Sequence, residues 1–204
     1  MKNVIKEINI LKKDKKISNQ IKERIKYFQE IGQSKKDIFL ELCFCILTAN
    51  YQAKKSWEIQ DKFKKELLTS NEEELRKILK TAGHRFWPQR AERIVLIRNI
   101  KKDLSKEIEK VGIRNWLVKN VKGLGMKESS HFLRNIGKLD YAIIDFHIVD
   151  ILVKENIIER PKSITPKKYI EIEEELKKIA KKVNLSLGEL DLYLWYMETG
   201  TILK

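Results

Sequence analysis

A chain of 204 residues can fold as one sizeable domain or as two small lobes. Its 42% apolar and 35% charged residues exclude an intrinsically disordered chain. Lys and Arg number 43 against 29 Asp and Glu, and the net charge of +14 creates a field that attracts polyanions, nucleic acid foremost. Charge alone also fits lysines that merely coat helices.

Two cysteines, Cys43 and Cys45, stand in one apolar run. On a helix they point in different directions, which disfavours a disulfide between them. Two thiols are too few for a four-thiolate cluster, so buried thiols in a reducing compartment are expected. The first residues carry no apolar signal region. The longest greasy stretch, residues 38–49, is too short to span a bilayer and contains Glu41. A cytoplasmic protein without membrane attachment is the expectation.

Almost every segment reads as helix. Ser18 stands as a cap before Ile21, Ile25, Phe28 and Ile31, which have helical spacing. Ser34 to Asp37 opens a second helix, whose apolar residues Phe39, Leu42, Cys43, Ile46 and Leu47 cover most of its circumference; it should be central and buried. Residues 53–68 form a third helix with Trp57, Phe63 and Leu67. Asn71 caps a helix that starts on Glu72, Glu73 and Glu74 and ends at Gly83. Another helix spans 90–100. Later, Thr165-Pro166 and the capping box Ser186 to Glu189 each open a helix. Alternating apolar runs are absent, and residues 141–144 read as a short extended stretch in a loop. The fold class is therefore all-α, and no flexible linker divides the chain.

Residues 118–134 read VKNVKGLGMKESSHFLR. One helix ends near Val121, Gly123-Leu-Gly125 turns tightly, and a second helix opens at Met126 or Lys127. The free N–H groups at that second helix form a phosphate grip that reads no sequence. A plain helical hairpin with a glycine cap fits the same residues. Lys127 stands in the first helical turn, where the positive end of the helix dipole favours a neutral, nucleophilic amine. By position alone it is equally one surface lysine among many. Eighteen residues on, Asp145 caps the next helix, followed by Phe146 and His147. His147 is open between a phosphate contact and an ordinary first-turn histidine.

Together these residues resemble the helix–hairpin–helix DNA glycosylase superfamily. The shared pattern is a hairpin, here Val121-Lys-Gly123-Leu-Gly125-Met-Lys127, followed by an Asp that caps a helix, here Asp145-Phe-His147. Lysine at the hairpin position marks its bifunctional members. Residues 46–50, ending in Asn50, resemble the end of the family's central helix, where a polar residue enters the duplex. Residues 83–91 resemble its wedge-bearing loop, with Phe86 as wedge and Arg90 as the basic residue at the next helix start. The resemblance runs from about Phe39 to the C-terminus and is closest to the short archaeal-type 8-oxoguanine DNA glycosylase/AP lyases, which end near a Trp and a terminal Lys; here these are Trp195 and Lys204. The loop before Asp145 departs from the family in lacking prolines. No cysteine cluster follows, unlike in the iron–sulfur relatives.

The resemblance implies two helical lobes, a barrel lobe over about 37–122 and a second from 1–36 plus 123–204, with the helix–hairpin–helix at the cleft between them. It implies Lys127 and Asp145 as the catalytic pair. Gly123, Gly125, His147, Asn50, Phe86 and Arg90 would contact DNA, and Trp195 and Lys204 would recognise the base. Residue by residue, Phe86 and Trp195 also fit a core, and Asn50 fits a helix cap. The substrate would be double-stranded DNA containing an oxidised purine, taken by a monomer with no metal or organic cofactor in the chemistry. The rival expectations are a non-catalytic hairpin module and a glycosylase for another damaged base.

Overall fold

A computed structural model describes residues 1–202 and contains thirteen helices and no strand among them, so the all-α expectation holds. The chain divides into two compact units. One is continuous, Ile31–Phe132; the other joins Met1–Glu30 to Leu133–Lys204.

The continuous unit is built around α3 (Lys35–Thr48). Ser34 caps it by accepting the Asp37 amide at 3.2 Å, and every residue from Phe39 to Leu47 is buried. Such an all-round apolar helix must be surrounded, and each buried Leu or Phe contributes about 1.5–3 kcal/mol. Gln60 of α4 (Ala53–Lys62) donates to the Leu40 carbonyl at 2.7 Å. The expected single helix over 53–68 is in fact two. Phe63 leaves helical geometry (φ −118°, ψ 31°) before α5 (Lys64–Thr69). Ile59 before the bend and Leu67 after it are both buried.

The Asn71–Glu74 capping box opens α6 (Glu72–Thr81). At its end Gly83 takes φ +73°, and the amides of Gly83 and His84 return to the carbonyls of Lys80 and Leu79. The next helix, α7 (Trp87–Asn99), starts three residues before the expected Arg90. Pro88, which needs no helical hydrogen bond in the first turn, is accommodated there. Arg98 of α7 donates to the carbonyls of Glu66, Leu67 and Ser70, closing the C-terminal end of α5. Then follow α8 (Lys101–Glu107), α9 (Ile113–Asn120) and α10 (Met126–Asn135), within which the division between the units falls.

The other unit begins with α1 (Lys2–Lys13), which buries Val4 and Ile8. Ser18 is not the cap of α2 (Lys15–Ile31): Asp14 accepts the amides of Lys16 and Ile17, and Ser18 lies one turn inside. The remaining helices are α11 (Phe146–Lys154), α12 (Pro166–Val183) and α13 (Leu187–Thr199). Thr165 and Ser186 cap the last two as expected. Lys12 donates to the Val183 carbonyl at the end of α12, and the Met1 ammonium pairs with Glu155 at 2.7 Å.

Candidate active site and nucleic-acid interface

The hairpin closes as its residues dictate. The Val121 amide ends α9 on the Leu117 carbonyl, and the Leu124 amide returns to Val121 at 3.1 Å while the Leu124 side chain is buried. Gly123 takes φ +93°, and a Cβ on it would stand 2.6 Å from Cζ of Arg93. The positive φ favours glycine, and the absent Cβ leaves room for the Arg93 guanidinium. The Ser129 amide makes the first helical bond, to Gly125. The amides of residues 126–128 are thus the first-turn donors of α10, and Lys127 is its second residue, half-buried.

Helix α7 organises this unit. Phe86 precedes its first turn, half-buried. One turn on, Arg90 is buried and donates to the Ala49 carbonyl just past the end of α3. Burial and the neighbouring Arg93 lower its pKa to about 10. Arg90, expected as a basic contact for DNA, is thus held beneath the surface by its bond to the end of α3. Further along, Glu92 pairs with Lys122 at 2.6 Å, and Arg93 lies against Gly123. Arg93 carries no signal in the sequence beyond its charge. Asn50 follows α3 in the left-handed conformation (φ +57°) with its side chain exposed, so it ends the helix and faces solvent at once.

In the other unit, Asp145 caps α11 by accepting the Ile148 amide at 3.1 Å, which fixes its carboxylate. The strand-like stretch before it is buried and clamped from α12. Glu173 accepts the Ala142 amide at 2.9 Å, while the Tyr169 hydroxyl donates to the Ala142 carbonyl at 2.7 Å and accepts from the Ile144 amide at 3.1 Å. Phe146, beside Asp145, is 81% exposed. His147 is half-exposed, edge-on to Trp195 at 5.9 Å, with Nδ1 3.7 Å from the Glu198 carboxylate. Trp195 is half-buried, and its indole N–H is shielded from solvent with no acceptor among the described residues. Lys204, expected at the base, lies outside the described residues. The Cys43 thiol is buried, which raises its pKa and makes it unreactive.

A glycine hairpin that opens a helix on a lysine, with a helix-capping aspartate downstream, defines the helix–hairpin–helix class of DNA glycosylases. The family model for 8-oxoguanine DNA glycosylase matches residues 21–185. The 8-oxoguanine DNA glycosylase/AP lyase of Methanocaldococcus jannaschii is 49% identical, over 98% of this chain and 99% of its own. That of Korarchaeum cryptofilum is 44% identical over 94% of each. The crystal structure of the M. jannaschii enzyme in complex with a 15mer DNA containing 8-oxoguanine matches with a TM-score of 0.92, at 47% identity, over 98% of this chain and 99% of that one. The 8-oxoguanine DNA glycosylase of Thermotoga maritima matches with a TM-score of 0.92 at 36% identity, over 100% and 99%. The chain belongs to the 8-oxoguanine DNA glycosylase family. Among the described residues no helix is long and apolar enough to cross a membrane.

Proposed function

We propose that this protein is a bifunctional DNA glycosylase/AP lyase that excises 8-oxoguanine from double-stranded DNA in the cytoplasm. The observation that carries the reading is Lys127 in the first turn of the helix opened by the Gly123–Gly125 hairpin. Hairpin amides grip a phosphate, and the flipped nucleotide leaves a gap. Phe86 wedges into that gap and Asn50 fills the space across from it. Trp195, with its unsatisfied indole N–H, and Lys204 meet the extruded base, and His147 contacts the backbone.

The neutral Lys127 amine attacks C1′ of the damaged nucleotide. The bond from C1′ to the base nitrogen breaks, and its electron pair and a proton leave with 8-oxoguanine. Asp145, ionised, stabilises the positive charge that develops on the sugar. The amine, now bonded to C1′, opens the ring to a Schiff base. Loss of a C2′ proton then expels the 3′ phosphate by β-elimination and nicks the strand.

Borohydride trapping on 8-oxoguanine duplex tests this. The wild type should become covalently joined to DNA, and Lys127→Gln should bind damaged duplex without trapping, since binding is spread over many phosphates. A wild type that binds but never traps would be a non-catalytic hairpin module. Trapping only on other lesions would mark a different glycosylase.

A further inference from the structure

Two buried side chains close the end of α3, and one of them reaches the wedge. The last carbonyls of a helix have no amide partners of their own. Here the Ala49 carbonyl accepts from Arg90, and the Leu47 carbonyl faces Nε2 of His84 at 2.9 Å. A carbonyl only accepts, so Nε2 carries the proton. The other ring nitrogen, Nδ1, is then bare, and it accepts the Phe86 amide at 3.1 Å. Burial keeps the imidazole neutral and so keeps this tautomer. His84 is 1% exposed. Tyr51 covers its ring at 4.1 Å and donates its hydroxyl to the Gly83 carbonyl at 3.0 Å. One imidazole thus bonds both the helix that Asn50 follows and the turn that carries Phe86.

We propose that His84 is a positioning residue for lesion recognition: it locks the Phe86 turn to the end of α3, so that wedge and gap-filler are set before DNA arrives. The inference rests on the roles proposed above for Phe86 and Asn50. Preset probes lower the ordering cost of engaging an unstacked site, and intact duplex gains nothing from them. His84 should therefore raise affinity for damaged duplex over undamaged duplex, in addition to any role in stability.

Two substitutions divide its bonds. In His84→Asn the amide oxygen takes the place of Nδ1 and keeps the bond to Phe86. In His84→Gln the amide nitrogen takes the place of Nε2 and keeps the bond to Leu47. The readout is the ratio of Kd on undamaged duplex to Kd on 8-oxoguanine duplex, below both melting temperatures. His84→Gln should lose about tenfold of this ratio, the worth of one buried hydrogen bond. His84→Asn, which keeps Phe86 but lets go of α3, should lose a similar share, and neither variant added to Phe86→Ala should lose anything further. A wild-type ratio in either variant, or an additive loss in a double mutant, would overturn the proposal. If the position-84 variants do not fold, Tyr51→Ala, which uncovers the imidazole, replaces them. It should lower the ratio with Phe86 present and leave it unchanged in Phe86→Ala; an unchanged ratio in both backgrounds overturns the proposal. Wild-type trapping is scored in parallel. A wild type that traps while His84→Gln keeps its ratio defeats this proposal alone, and one that neither traps nor prefers damaged duplex defeats both.

Discussion

The Ile144 amide donates to the hydroxyl of Tyr169, from a helix that starts twenty-one residues after the aspartate it serves. The same hydroxyl donates to Ala142, so one phenol holds the backbone on both sides of Ile143 directly before Asp145. Tyr169→Phe keeps the ring and strips both bonds. It should cost about 2 kcal/mol of stability, from two buried backbone groups left without partners. Excision should slow by roughly 10- to 100-fold because the carboxylate drifts, with damaged-DNA affinity retained. Single-turnover rates and melting curves measure both; an unchanged rate beside a lowered melting temperature would reduce Tyr169 to packing.

Asp145 carries two roles that substitution can separate. Asparagine caps helices about as well as aspartate, so Asp145→Asn should melt near the wild-type temperature. It lacks the charge, and single-turnover excision should fall by roughly 10²- to 10³-fold. Asp145→Ala should lose the rate and about 1 kcal/mol of stability as well. If Asp145→Asn excises at the wild-type rate, the residue is a cap and nothing more.

An aromatic ring left four-fifths in water beside Asp145 contributes little to the core. Phe146→Ala should therefore change stability by less than about 0.5 kcal/mol. If duplex covers the ring on binding, affinity for DNA should weaken about tenfold. Fluorescence anisotropy and a thermal melt suffice, and unchanged affinity would remove Phe146 from the interface.

Gly123→Ala tests the turn. Alanine at φ +93° costs about 1 kcal/mol before any collision, and its methyl group would meet the Arg93 guanidinium. Adding Arg93→Ala should recover the collision but not the backbone cost. DNA affinity should fall with Gly123→Ala at all duplex sequences alike, because the hairpin grips phosphate. A loss confined to damaged duplex would contradict that assignment.

Much of the fold was legible because its signals are local. Ser34, Asn71, Thr165 and Ser186 cap within three residues of themselves, and the Gly123–Gly125 turn states its own geometry. What escaped depends on distant partners. Arg90 reads as a surface cation at a helix start, and folding buries it against the Ala49 carbonyl, 41 residues earlier. The bend at Phe63 lies between two buried residues, Ile59 and Leu67, and no propensity at position 63 announces it. His84, Tyr169 and Glu173 are ordinary letters in the sequence; their meaning comes from backbone atoms brought to them by folding.

The division of the chain also has a consequence for synthesis. Residues Ile31–Phe132 hold all their own unit and can collapse as soon as they leave the ribosome. The first thirty residues cannot. Ile8, Ile21 and Phe28 are buried in a unit otherwise made from Leu133 onward, and Lys12 and Met1 wait for Val183 and Glu155. Closing so long a loop is slow, so this segment finds its place late. During that interval its apolar stripe is the part of the nascent chain most in need of a chaperone.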